Sequence, residues 1–101
     1  MYQTTTDELS KQIGNVLVAK DIPGYKDAGV DSLKRNDDGN TDIDLRISFA
    51  DGTEVDSTLK ENVKGTIQHA VNNNDLQIAN VDKYKPVTLI QEGLYLLIKI
   101  N

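Results

Sequence analysis

From Ile43 to Phe49 the chain alternates without a break: Ile43, Leu45, Ile47 and Phe49 fall on one side, Asp44, Arg46 and Ser48 on the other. A period of two is that of a strand with one buried face. Asp51-Gly52 comes next and marks a turn, which invites a hairpin with Thr53 to Asp56. A two-residue loop would set Phe49 opposite Glu54 and Ile47 opposite Asp56, placing carboxylates on the apolar face. A three-residue loop, Ala50 to Gly52 with Gly52 left-handed, instead pairs Phe49 with Thr53, Ile47 with Val55 and Arg46 with Asp56. The sequence therefore favours the second register.

Helical spacing appears twice. Leu9, Ile13, Val16 and Leu17 form one stripe, and Thr5 with Glu8 matches a capping box at its start. This helix should end near Lys20, because Pro23-Gly24 signals a turn. Leu59, Val63, Ile67, Ala70 and Val71 form the second stripe, with Thr58 and Glu61 as its capping box and Asn72 to Asn74 as its stop. Gly65 inside it costs about 1 kcal/mol relative to Ala, and close packing is one way to account for that.

From Pro23-Gly24 to Asn40 the chain is rich in Gly, Asp and Asn, with scattered apolar residues such as Tyr25, Val30 and Leu33. That composition reads as a loop holding at most a helical turn or an edge strand. At the other end Leu76 to Val81 is a short apolar segment, and Val87 to Ile90 with Leu94 to Ile100 around Gly93 forms a hairpin. Leu94, Tyr95, Leu96, Leu97, Ile98 and Ile100 put apolar groups on both faces of the last strand. Such a strand is expected in the middle of the sheet, covered on both sides or buried by a second copy, making it the element for a homodimer. The resulting fold class is α+β in one domain over residues 1–101. It is a mostly antiparallel sheet of four to five strands, built from two hairpins with two packed helices, in the order α-β-β-α-β-β-β.

With 101 residues the chain suits one compact domain rather than a core plus a deep cleft. The absence of cysteine removes disulfides, thiolate nucleophiles and thiolate metal sites. No apolar run approaches the about 18 residues of a spanning helix, and no leader pattern is visible. The expectation is a soluble cytoplasmic protein. Compactness, lack of cysteine and richness in Asn and Asp point to a bacterial or phage source.

Charge is concentrated rather than spread. Of a net charge of −5, residues 27–56 carry −6, from nine acids against Lys34, Arg35 and Arg46. A contact with phosphate backbone needs clustered cations, so this acidic middle argues against one. It reads first as a solvated surface and second as a face for a basic partner, with Asp37, Asp38, Asp42, Asp44, Arg46, Glu54 and Asp56 as the candidate interaction residues.

Motifs of chemistry are weak. The run Asn36-Asp37-Asp38-Gly39-Asn40-Thr41-Asp42 resembles a calcium loop, but aligning Gly39 with the loop glycine puts Lys34 and Leu45 at the two ends, where acids are needed. A weaker cluster of Asp37, Asp38 and Asp42 is better explained by a turn. His69 is the single histidine and lies off the apolar stripe. Ser10, Ser32, Ser48 and Ser57 sit in no nucleophile motif, and no Gly-rich phosphate loop occurs. Lys83-Tyr84-Lys85 resembles a fragment of a nucleic-acid surface, but two cations are too few unless Lys60 and Lys64 extend them, and a plain surface loop is the expectation. The expectation is thus a non-enzymatic protein-interaction protein with no catalytic, cofactor-binding or metal residues and no cofactor. The alternatives are an acidic inhibitor that mimics nucleic acid toward a basic protein and a small nucleic-acid-binding domain.

Overall fold

A computed structural model describes residues 5–76, 78, 81 and 85–101. Its elements run α1 (Thr6–Ala19), β1 (Tyr25–Arg35), β2 (Thr41–Phe49), α2 (Ser57–Asn72), β3 (Thr88–Glu92) and β4 (Tyr95–Ile100). The four strands form one antiparallel sheet in the order β1-β2-β4-β3, and the helices pack on it, which is the expected α+β class. Sheet and helices share one core. Ile43, Leu45 and Ile47 of β2 meet Leu96, Ile98 and Ile100 of β4, under Leu9, Ile13 and Leu17 of α1 and Val63 and Ile67 of α2.

The caps show how the helices are placed. At the start of α1 the Glu8 amide donates to Thr5 Oγ1 at 3.1 Å, as the capping box predicts. On α2 the cap lies two residues earlier than expected. Asp56, not Thr58, is the N-cap, and its Oδ1 accepts from the Leu59 amide at 2.9 Å. Gly65 is not a close-packing site, because an added Cβ there would meet nothing within 4 Å.

The first hairpin differs from the sequence reading. β2 pairs with β1, an eleven-residue strand, and Thr53 to Asp56 form a connection into α2. Arg46 consequently does not face Asp56, nor Ile47 Val55. The turn itself is as argued, with the Thr53 amide donating to the Ala50 carbonyl at 3.1 Å and Gly52 left-handed at φ 85. It redirects the chain toward α2 instead of returning it along β2. β1 is hidden in the sequence because its ladder is irregular. Register shifts at Tyr25/Asp27 and Val30/Ser32 interrupt the alternation, so its inward residues Ala28, Val30 and Leu33 are not evenly spaced.

The C-terminal hairpin is present, and β4 is central as expected, between β2 and β3. Among the described residues it is covered on one side only. Leu96, Ile98 and Ile100 point into the core, whereas Tyr95 and Lys99 are exposed and Leu97 is half-buried on the opposite face. Both of its backbone edges are paired, so a second copy cannot add a strand to β4. Leu76 is buried, and Ile78 and Val81 pack against the core without strand structure. The rest of that predicted segment, residues 77, 79 and 80, lies outside the described residues. The described order is therefore α-β-β-α-β-β.

Candidate functional site

The side of the sheet opposite the helices gathers polar, aromatic and apolar residues of all four strands. Register sets them in rows: Asp27, Ser48, Tyr95 and Glu92; then Gly29, Arg46, Leu97 and Ile90; then Asp44, Lys99 and Thr88. Among the described residues no helix or strand lies over this face.

Arg46 is its best-defined group. Its Nη2 donates to Asp31 Oδ1 at 2.9 Å, and its guanidinium carbon stands 5.8 Å from the centre of the Tyr95 ring. The hydrogen bond and the charge of Asp31 push the Arg46 pKa above its ordinary value, and a guanidinium is charged in any case. Asp31 reaches Arg46 because it is the extra residue between Val30 and Ser32, and a bulge re-aims the side chain it carries. Lys99 Nζ lies 3.9 Å from Asp44 Oδ1 in the next row. Both pairs are roughly half exposed, so they position side chains more than they stabilise the fold.

The expected acidic face is divided. Asp42, Asp44 and Arg46 belong to β2, and Asp37 and Asp38 occupy the turn that enters it. Glu54 and Asp56 lie past the other end of β2, beside α2, where Asp56 serves as the helix cap. The turn is organised by Asn36. Its Oδ1 accepts from the amides of Asp38 at 2.9 Å and Asn40 at 3.1 Å, while its Nδ2 donates to Asp42 Oδ1 at 2.9 Å. A side-chain amide therefore occupies the loop that resembled a cation site. Among the described residues no group of three or more His, Asp or Glu is arranged to hold a metal ion.

His69 is exposed on α2, with Nε2 2.6 Å from Asn73 Nδ2. It lines an open groove of about 440 Å³ between the helices, with Val16, Glu61 and Gly65. Lys85 is exposed, but Lys83 and Tyr84 lie outside the described residues. No described helix is long and apolar enough to cross a membrane.

Sequence reasoning missed Asp31, Tyr95, Leu97 and Lys99 as companions of Arg46. The signal for two of them was present, since Tyr95 and Leu97 are the apolar residues that made the last strand two-faced. Comparison of the chain with family models, with curated proteins and with solved structures gives no match.

Proposed function

We propose that this chain is a non-enzymatic protein-interaction domain whose working surface is the open side of the sheet around Arg46 and Tyr95. The observation that supports it is the fixed Arg46, held by Asp31 and set against the Tyr95 ring, with Leu97 and Ile90 beside it in the same row. Arg and Tyr are the residues that most often dominate binding energy, and a side chain already held in place loses less entropy on binding. The test uses the wild-type chain and an Arg46→Ala/Tyr95→Ala variant as baits in lysate from the source cells. A protein retained by the first and lost from the second supports the reading. A partner retained equally by both overturns it, and circular dichroism shows that the variant is folded.

A second reading is an acidic inhibitor that stands in for phosphates, supported by Asp37 and Asp38 in the β1–β2 turn and Asp42 at the start of β2. It would work with these residues and Asp44, without Glu54 and Asp56. Asp37→Asn/Asp38→Asn would then abolish capture of a basic partner, and added salt would weaken the complex steeply.

A further inference from the structure

The two edges of the sheet are finished differently. On β1 the ladder is broken by two register shifts, and the Val30 amide is already engaged by Ser10 Oγ at 3.0 Å. The same strand carries Lys26, Asp27, Asp31, Lys34 and Arg35. Bulges, charges and a covering helix are the devices that keep a strand edge from pairing with another molecule. Among the described residues β3 shows none of them in its interior. It pairs with β4 without a register shift, Glu92 at its end is its single charge, and Ile90 at its centre is 66% exposed.

We propose that β3 is a self-association edge, pairing antiparallel with β3 of a second copy about a twofold axis at Ile90. Two four-stranded sheets thereby become one continuous sheet. The residues select this register. Centred on Ile90, every residue of β3 has a partner: Thr88 with Glu92, Leu89 with Gln91, Ile90 with itself. Centring on Leu89 would set Pro86, which has no amide, against Glu92. Centring on Gln91 would set Glu92 against Ile90.

A second copy fits this edge because the two halves complement each other. Ile90 faces Leu97 of β4 in the existing ladder, so the dimer carries an apolar row of Leu97 and Ile90 from each copy across its centre. On either side Glu92 of one copy lies opposite Thr88 of the other, and beyond Thr88 stands Lys99. Two strand spacings separate that carboxylate's backbone from the lysine's, about 9.5 Å, a span their side chains bridge. The apolar residues thus meet on the axis and opposite charges meet beside it.

The chain has no cysteine, so introduced thiols test the register directly. Under mild oxidation Ile90→Cys is expected to form a covalent dimer, because paired residues in a ladder have Cα atoms about 4.5–5.5 Å apart. Thr88→Cys alone should not, since the two copies of position 88 would lie about 13 Å apart along the strand. A mixture of Thr88→Cys and Glu92→Cys chains should give the mixed dimer. Sedimentation equilibrium of the unmodified chain should show dimer, and Ile90→Lys, at an exposed site, should raise its dissociation constant at least about tenfold with an unchanged circular dichroism spectrum. A monomer at the highest attainable concentration overturns the proposal. So does Thr88→Cys crosslinking as readily as Ile90→Cys, or an Ile90→Lys chain that associates as well as the original.

Discussion

Ser10 on α1 joins helix to sheet edge: its Oγ donates to the Thr6 carbonyl at 2.8 Å and accepts from the Val30 amide at 3.0 Å. Val30 sits where β1 shifts register, next to the bulged Asp31. The hydroxyl therefore satisfies a partly buried backbone donor that no strand pairs. Ser10→Ala leaves it without this partner, at an expected cost of about 1–2 kcal/mol. Thermal unfolding should shift down by several degrees, and hydrogen exchange should show faster loss of protection at Val30 than at Leu45 in the sheet interior.

Arg46 couples to Asp31 and not to Asp56, and a pair of double-mutant cycles separates the two arrangements. Arg46→Ala with Asp31→Ala should be non-additive, because the two side chains share a 2.9 Å hydrogen bond. Arg46→Ala with Asp56→Ala should be additive, since Asp56 acts on the Leu59 amide at the start of α2. Asp56→Ala by itself should cost about 1 kcal/mol as a lost helix cap. Urea unfolding of the single and double variants gives both coupling energies.

That contrast marks where the fold is legible in the sequence. Regular periods reveal α1, β2, α2 and the C-terminal hairpin, because each repeats its apolar positions at 2 or about 3.6 residues. β1 escapes because a bulge adds a residue and breaks the period, although Ala28, Val30 and Leu33 all pack against the core. Without β1, local turn chemistry alone offers Thr53 to Asp56 as the partner of β2. Gly52 has the conformation that chemistry predicts, yet a left-handed glycine fixes the direction of a turn and not the structure of the residues beyond it. The surface around Arg46 is visible only in part. Asp31 depends on the bulge, and the Arg46–Tyr95 contact depends on β2 lying beside β4, a pairing between segments far apart in sequence.

β4 separates the covered face from the open one within adjacent residues. Leu96 is fully buried, while Tyr95 is 46% exposed. Leu96→Ala removes methyl groups from the centre of the core and should cost about 2–5 kcal/mol. Tyr95→Ala should change stability by less than about 1 kcal/mol. Comparable losses at both positions in chemical denaturation would mean that the outer face is packed as well.

Gly65 and Gly24 should respond in opposite directions to alanine. At Gly65, on the exposed side of α2, an added Cβ has open space, so Gly65→Ala should stabilise by about 0.5–1 kcal/mol through helix propensity. At Gly24 the backbone is left-handed at φ +74, and an added Cβ would collide with the Thr53 side chain. Gly24→Ala should therefore destabilise by more than about 1 kcal/mol. Thermal melts of the two variants beside the parent chain decide both signs.

Tyr25 adds a dependence on alkaline pH. Its half-buried hydroxyl packs toward α1, where an added Cβ on Gly14 would lie 3.2 Å from it. Burial first, and the nearby Asp27 charge second, disfavour the phenolate and raise its pKa above the ordinary 10.0. Above that ordinary value the unfolded chain releases the phenolic proton while the folded chain still holds it. The folded state then binds more protons, so stability falls as pH rises from the ordinary value toward the raised one, and the contribution is intact below it. Tyr25→Phe has no such proton to lose. Its melting temperature should therefore decline less than that of the parent chain as the pH is taken from neutral through this alkaline window, and parallel declines would show that Tyr25 contributes nothing to it.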